Sequence, residues 1–104
     1  MHKKLLELII AFDWDDGNSE KNYRKHDVTY KETEEVFLND EIVFCPDTKH
    51  SQNEERYYVF GKTNEFRELL IAFTIRKKQV RVIMARDMSR KERVWYEKEI
   101  KKDS

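Results

Sequence analysis

Residues 69–85 read LLIAFTIRKKQVRVIMA, in which the apolar runs Leu69–Ile75 and Val80–Ala85 flank the polar segment Arg76–Gln79. Apolar and β-branched runs of this length, bounded by short polar segments, are typical of strands. We therefore predict two antiparallel strands joined by a turn at Arg76–Gln79.

Further runs extend the same pattern toward the N-terminus. Ile42–Cys45 is bounded by Pro46, and Arg56–Gly61 leads into the turn residues Gly61–Asn64. Leu5–Phe12 is also predicted as a buried strand, because a charged residue interrupts its apolar run and no signal-peptide cleavage site follows. The sequence thus predicts one N-terminal strand and a four-stranded antiparallel meander.

Two helices are predicted from their N-terminal capping residues. Thr29–Glu32 (TYKE) and Ser89–Glu92 (SRKE) have the spacing of a capping box, in which the first and last side chains satisfy each other's backbone amides. The first box opens a helix over Tyr30–Leu38. The second opens a C-terminal helix that carries Trp95 and Tyr96 against the sheet.

A third helix is predicted between the N-terminal strand and Tyr30–Leu38. Asp15, Asp16 and Ser19 are all good N-cap residues, and this helix ends near His26. The element order is then β-α-α-β-β-β-β-α. This order predicts one α+β domain over residues 1–104, with two N-terminal helices and one C-terminal helix packed on one face of a twisted antiparallel sheet.

The composition fits a small intracellular domain. The 104 residues are 38% hydrophobic and 40% charged, yet two Trp, five Tyr and six Phe supply large units of buried area for one aromatic-rich core. The single cysteine, Cys45, can form no intrachain disulfide, which fits a reducing compartment. No run approaches the roughly 18 apolar residues of a membrane span. We expect a soluble, cytoplasmic protein without membrane contact.

Opposite charges accumulate in the two parts of the chain, although the formal net charge is zero. Residues 1–75 contain 10 Lys and Arg against 16 Asp and Glu, whereas residues 76–104 contain 11 against 5. A basic C-terminal third can present phosphate-binding groups or a docking face for an acidic partner. The alternative is a solvated, charged helix.

Aromatic, cationic and titratable side chains are concentrated in Phe12–Asp15 and Asn22–His26, a mixture that suits RNA binding. With later motifs, they resemble the BrnT family, the toxin half of a bacterial type II toxin–antitoxin pair, over about residues 12–97. The motifs are F-x-W-D from Phe12, N-x-x-K-H from Asn22, D-x-x-H-S from Asp47, E-E-R from Glu54, T-x-R from Thr74, R-x-I-x-A-R from Arg81 and E-R-x-x-Y from Glu92.

The resemblance implies a RelE-like fold and a metal-independent endoribonuclease that cleaves RNA and arrests growth. It also implies neutralisation by a BrnA-like antitoxin in a 2:2 heterotetramer, with promoter DNA contacted only through the antitoxin. A second interpretation stays open, a catalytically weak interaction module that binds the antitoxin as a co-repressor. Asp27 and Met84 favour it, since the family usually has glycine and serine there, and Asn18 replaces a common lysine.

RNA cleavage without a metal ion needs a proton acceptor for the ribose 2′-hydroxyl, cations for the phosphorane and a proton donor for the leaving 5′-oxygen. Arg81 and Arg86 are the predicted cations, because a guanidinium fork holds two phosphate oxygens and stays charged. In an ideal strand they point to opposite faces, so both serve one site only if Arg86 lies beyond the strand end. Arg76 is a third candidate cation, and each of the three can instead pair with a carboxylate of the acidic part.

His26, His50 and Glu55 are the predicted proton-transfer residues, and Lys25 serves either proton transfer or RNA binding. Histidine titrates nearest to neutral pH. A structural alternative stays open for both histidines: His26 caps the end of a helix, and His50 organises a polar loop through its hydrogen bonds.

RNA binding is predicted for a set of aromatic and cationic residues: Trp14, Lys25, Arg76, Arg90, Arg93 and Tyr96. Trp14 either stacks on a base or packs in the core. Tyr96 either packs against the sheet or keeps its hydroxyl at a wet edge near Arg93. No metal ion is expected, because His and Cys at positions 2, 26, 45 and 50 lack the paired spacing of zinc ligands. Without a glycine-rich phosphate loop, we expect no nucleotide cofactor.

Overall fold

A five-stranded sheet and two helices form the part of the chain that the computed structural model describes, residues 11–12, 14, 26–49 and 54–102. The strands are β1 (Ala11–Phe12), β2 (Val43–Pro46), β3 (Arg56–Lys62), β4 (Glu68–Arg76) and β5 (Gln79–Asp87), and the helices are α1 (Tyr30–Leu38) and α2 (Arg90–Lys102). The strand order in the sheet is β1-β5-β4-β3-β2. The protein is therefore α+β, and neither of these helices has the length and apolar character needed to cross a membrane.

The antiparallel meander is confirmed, because β2, β3, β4 and β5 pair in sequence order. β1 differs from the prediction: it lies beside β5 and runs parallel to it. A short turn forces consecutive strands to be antiparallel, but the long connection between β1 and β5 imposes no such direction. The sheet is therefore mixed and not wholly antiparallel.

Both predicted capping boxes are present. The Glu32 amide donates to Thr29 Oγ1 at 3.2 Å, and the Thr29 amide donates to Glu32 Oε1 at 3.0 Å. The Ser89 amide likewise donates to Glu92 Oε1 at 2.7 Å, and the Glu92 amide donates to Ser89 Oγ at 3.2 Å. α1 ends at Asn39, whose amide donates to the Glu35 carbonyl. These local signals therefore fix where α1 and α2 begin.

Three helices were predicted, whereas the described residues contain two. The predicted helix before His26 falls on residues 15–25, outside the described residues, as does most of the predicted strand Leu5–Phe12. Within the described ranges, the element order is β-α-β-β-β-β-α.

The two helices pack on opposite faces of the sheet, which corrects the prediction of one covered face. On one side, here called the α1 face, Val36 and Phe37 join a core built on Leu69, Ile71 and Phe73 of β4. On the other side, the α2 face, a smaller core is formed by Val43, Leu70, Met88 and Tyr96. Since side chains alternate along a strand, the continuous apolar run of β4 needs cover on both faces.

The turn between β4 and β5 holds two lysines in the left-handed conformation. Lys77 has φ 51° and Lys78 has φ 65°. Positive φ at both central residues defines the two-residue hairpin turn that suits the strand twist, and Asn-Gly is its preferred sequence. Each lysine therefore carries a backbone strain that glycine or asparagine would lower.

Replacing Lys77-Lys78 by Asn-Gly should raise the free energy of unfolding by about 1 kcal/mol and Tm by roughly 5 °C. Thermal unfolding followed by circular dichroism measures the change. The control is Ala-Ala, which removes the same two charges but keeps both β-carbons. If Ala-Ala stabilises the protein as much as Asn-Gly, charge repulsion and not backbone strain is the cause.

Candidate functional site

A β-bulge in β5 brings Arg81 and Arg86 to the same face of the sheet. The pairing with β4 shifts by one residue between Ala72 and Phe73, which leaves Ile83 of β5 as an extra residue. Such a bulge reverses the alternation of the side chains beyond it. Both arginines therefore belong to the α2 face. The prediction that Arg86 must lie beyond the strand end was wrong, because β5 continues past it.

The register across β3, β4 and β5 defines the neighbours of these arginines. Three rows cross the α2 face: Arg56–Thr74–Arg81, Tyr58–Ala72–Met84 and Phe60–Leu70–Arg86. The side chains of Arg56, Tyr58, Arg81, Met84 and Arg86 are all partly exposed, and we call them the arginine face. The small residues Ala72 and Thr74 are buried between them, so the larger side chains border a shallow trough.

Arg86 is held by a carboxylate of the helix cap. Its Nη1 and Nη2 donate to the two oxygens of Glu92 at 2.8 and 2.9 Å, and Nη1 also donates to the Asp87 carbonyl at 3.1 Å. The guanidinium lowers the pKa of Glu92 below its ordinary value, and the pair raises the pKa of Arg86. Among the described residues, none accepts a hydrogen bond from Nε of Arg86. The Nε–Nη2 edge can therefore bind two oxygens of an anion while Glu92 fixes the side chain.

Tyr58 lies between the two arginine rows, with its hydroxyl on Asp47. Burial raises the pKa of Tyr58, the Asp47 carboxylate raises it further, and the charges of Arg56 and Arg86 oppose the shift. Asp47 is only 5% exposed, and its amide donates to the Arg56 carbonyl at 2.8 Å. Tyr58 is therefore a protonated donor at neutral pH, in the field of two guanidinium groups.

Arg76 and Arg81 share the opposite end of this face with Glu54. Arg76 binds both carboxylate oxygens of Glu54, at 2.8 and 2.6 Å. Arg76 first, and then Arg81, lower the pKa of Glu54. Arg76 is thus paired with a carboxylate of the acidic part, as the alternative stated. More than half of its side chain remains exposed.

Residues 14–92 match the model of the family described as ribonuclease toxin, BrnT, of type II toxin–antitoxin system. The chain belongs to the BrnT family. A search among curated proteins finds no match. The matched range includes Arg81, Arg86 and Glu92, so the arginine face lies within the BrnT region.

His26 lies beside Arg67, near Asp87, whose pKa is lowered first by Arg67 and last by the charge of His26. Nη2 and Nη1 of Arg67 donate to the carbonyls of His26 and Asp27, at 3.2 and 2.8 Å. Arg67 also binds Asp87 at 2.8 and 3.0 Å and Glu32 at 3.0 Å. Asp27 has φ 55°, which gives a physical reason for the glycine usual in BrnT sequences. The backbone of His26 is thus anchored by Arg67 at the end of the sheet.

Glu55 and Trp14 also contact the α1 side of this BrnT chain. Glu55 accepts a 2.5 Å hydrogen bond from the hydroxyl of Tyr57, whose ring stacks on Phe73 in the α1-face core. Trp14 packs on Phe12, and its Nε1 donates to a carboxylate of α1 at 2.7 Å. These contacts favour the alternative in which Trp14 packs in the core over the one in which it stacks on a base.

Tyr96 packs against the sheet, and the alternative of a wet edge is wrong. Its ring is fully buried and its hydroxyl donates to the Glu41 carbonyl, so the hydroxyl is not at a wet edge. Burial raises its pKa. Arg90 and Arg93 are exposed on α2, whereas Lys25 and His50 lie outside the described residues. In the ranges that are described, no three His, Cys, Asp or Glu side chains form a group that could hold a metal ion.

Sequence reasoning missed Tyr58, Arg56 and Asp47 as members of the site. Arg56 and Tyr58 are two residues apart in β3 and so share a face, which is a signal that the sequence contains. The sequence did not show that this face also bears Arg81 and Arg86, because that depends on the strand register and the bulge. Glu92 was recognised only as a capping residue.

Replacing Arg67 by Met should lower the free energy of unfolding at pH 7 by about 1–3 kcal/mol, the range for hydrogen bonds to charged groups. Arg67 holds the pKa of Asp87 below its ordinary 3.8. Burial raises the pKa of Glu32, but the Thr29 amide first, and then Arg67, keep it below 4.5. Groups with lowered pKa stabilise the fold above the unfolded value and lose this effect as pH falls through the folded value.

The deficit of Arg67→Met should therefore be constant above about pH 5 and shrink below pH 4.5, leaving the part due to the carbonyl contacts. Urea unfolding at several pH values measures it. Arg76→Met is the matched control, since its partner Glu54 is exposed and its deficit should be smaller. A deficit for Arg67→Met that stays unchanged down to pH 3 contradicts the assigned role of the two carboxylates.

Proposed function

We propose that this BrnT family member is a metal-independent endoribonuclease toxin that cuts RNA in the cytoplasm and so arrests growth. The observation that carries the proposal is the placement of Arg81 and Arg86 on one partly exposed face with Tyr58 between their rows. A cleft that offers two guanidinium groups and a protonated hydroxyl suits a phosphodiester whose negative charge rises during reaction.

In the proposed reaction, the ribose 2′-oxygen forms a bond to phosphorus while the bond from phosphorus to the 5′-oxygen breaks. The products are a 2′,3′-cyclic phosphate and a 5′-hydroxyl. The open Nε–Nη2 edge of Arg86 holds two nonbridging oxygens of the phosphorane. Arg81 binds another phosphate of the same strand, because the β4 partners of the two arginines are four residues, about 13 Å, apart.

Tyr58 is the proposed proton donor to the leaving 5′-oxygen. Its raised pKa keeps it protonated, and Asp47 orients its hydroxyl. His50 is the proposed acceptor of the 2′-hydroxyl proton. It follows Asp47, the partner of Tyr58, by three residues in the sequence. Glu55 is not used, because its hydrogen bond from Tyr57 lies on the α1 side. His26 is the alternative acceptor, since it lies close enough to Asp87, the residue after Arg86, for its charge to act on that carboxylate.

Arg86→Ala should lower the cleavage rate of a long RNA by about 10²–10³, the scale for loss of one preorganised transition-state donor. Arg86→Lys should recover only part of the rate, because an ammonium group lacks the planar fork. Arg81→Ala should also lower the rate. Lys98→Ala, an exposed α2 residue outside the site, is the matched control and should cut normally, with or without a chelator.

Growth and RNA integrity in cells expressing each variant extend this test. Wild-type protein should arrest growth and leave RNA fragments, and Arg86→Ala should do neither. Arrest with intact RNA, or full toxicity of folded Arg81→Ala and Arg86→Ala, rejects the proposed ribonuclease site. Loss of cleavage with chelator rejects metal independence.

We further propose a BrnA-like antitoxin that assembles with this toxin as a 2:2 heterotetramer and covers the arginine face with acidic side chains. Promoter DNA is then contacted only through the antitoxin. Light scattering of the co-purified complex at several salt concentrations should give the tetramer mass. A 1:1 mass that persists across dilution contradicts the tetramer, and RNA cleavage by the intact complex contradicts occlusion.

A catalytically weak interaction module is the second candidate function. Met84 favours it, because this apolar side chain lies in the Tyr58 row between the two arginines, where the family usually has serine. Under this alternative, the wild-type protein binds its antitoxin but leaves RNA intact, and Met84→Ser increases cleavage. Cleavage by the wild type that Arg86→Ala removes excludes a module without catalysis.

A further inference from the structure

A pocket of about 360 Å³ lies between α2 and the sheet, next to Arg86. It is lined by Cys45, Tyr58, Phe60, Lys91, Glu92 and Trp95, and we call it the Trp95 pocket. Its inner wall consists of the aromatic rings and the thiol, and the charges of Lys91 and Glu92 mark its α2 side. Two of its residues are shared with the site described above: Tyr58 is in the arginine face, and Glu92 holds Arg86.

Trp95 is an exposed aromatic residue held in a defined position. The ring centroids of Trp95 and Phe60 are 4.9 Å apart at an angle of 61°, yet Trp95 retains 38% of its surface. Large aromatic side chains at the surface are typical of binding sites, since burying them on binding is favourable. Phe60 therefore fixes the Trp95 ring while part of it stays available to a ligand.

We propose that the Trp95 pocket binds one unpaired RNA base beside the scissile phosphate. The proposal rests on the ribonuclease function proposed above and adds a subsite to it. Base–aromatic stacking suits an apolar wall, and the cations Lys91 and Arg86 suit the phosphates on either side of a bound base. Trp95 thus takes the stacking role that the sequence had suggested for Trp14, whose ring packs on Phe12 and Tyr30.

An acidic segment of a protein partner would also find apolar surface and cations here. RNA is favoured because the pocket is continuous with the arginine face through Tyr58 and Glu92. Its volume also lies near the lower end for ligand sites, which suits one ring system and its sugar. Aromatic rings and a thiol do not distinguish bases by hydrogen bonds to their edges. The subsite therefore accepts all four bases and binds the larger purines more tightly.

Trp95 fluorescence tests binding separately from cleavage. In a Trp14→Phe background, Trp95 is the sole indole, because the chain has two tryptophans. The probe is a single-stranded RNA oligonucleotide with 2′-deoxyribose at one internal nucleotide, the cleaved one where the wild type cuts the unmodified sequence, so that it binds intact. It should quench Trp95. The same oligonucleotide with an abasic residue next to that position should bind more weakly and lose the quenching.

The matched activity test compares Trp95→Ala with Val94→Ala, which alters the neighbouring exposed residue of α2. Trp95→Ala should raise KM for RNA by about 5- to 150-fold, the equivalent of losing one stacked base, and change kcat little. Trp95→Phe should recover most of the affinity. Val94→Ala should behave as the wild type.

Cys45 gives a second measurement without any substitution, since it lines the pocket and is the sole cysteine. Burial raises its pKa, so alkylation is followed at alkaline pH. Intact oligonucleotide should slow alkylation of Cys45, and the abasic one should not. If Trp95→Ala does not fold, protection of Cys45 still tests whether the pocket binds a base.

The outcomes separate the pocket from the ribonuclease proposal. Arg86-dependent cleavage with no quenching, no Cys45 protection and a normal KM for Trp95→Ala overturns the pocket alone. Base-dependent quenching without cleavage of ordinary RNA by the wild type supports the subsite and rejects the nuclease. Quenching by the co-expressed antitoxin but by no oligonucleotide identifies a protein-docking site and overturns the proposal.

Discussion

The burial of β4 on both faces is the constraint on which the rest of the structure depends. Every residue from Leu69 to Thr74 is buried, so neither face of the central strand can be left to solvent along its length. α1 covers one face, and α2 covers the end of the other near Leu70. On the rest of the α2 face, β4 contributes the small residues Ala72 and Thr74, and the long side chains of β3 and β5 flank them. The trough of the arginine face is therefore a consequence of how the core is closed.

Carboxylates from both parts of the chain hold the arginines in position without cancelling their role as cations. Glu92 shows this most clearly, because the same carboxylate caps α2 and binds Arg86. Partly exposed ion pairs of this kind contribute little to stability. Their effect here is geometric, since a clamped guanidinium loses less conformational entropy when it binds an anion. Zero net charge is therefore compatible with a phosphate-binding face.

The sequence predicted those features whose causes are local. Both capping boxes, the span Tyr30–Leu38 and the four strands of the meander are encoded within a few neighbouring residues, and family membership followed from an ordered set of motifs. Features that depend on distant contacts were predicted less well. The parallel direction of β1, the placement of the helices on opposite faces and the burial of Tyr96 all depend on tertiary packing.

The site shows the same division between local and distant information. Arg81 and Arg86 were recognised by their chemistry, but nothing in their spacing revealed a bulge between them. Tyr58 was missed because its importance comes from the residues across the sheet. Glu55 was plausible by chemistry, yet its hydrogen bond from Tyr57 holds it on the α1 side.

The extra residue in β5 has an evolutionary consequence. Because Ile83 reverses the alternation between Arg81 and Arg86, deleting one residue there would turn one of the two arginines toward the α1-face core. A single inserted residue would have a similar effect. A point substitution does not change which face each arginine occupies. A substitution along β5 can therefore be accepted in evolution without separating the two arginines, whereas one residue inserted or deleted between them places them on opposite faces.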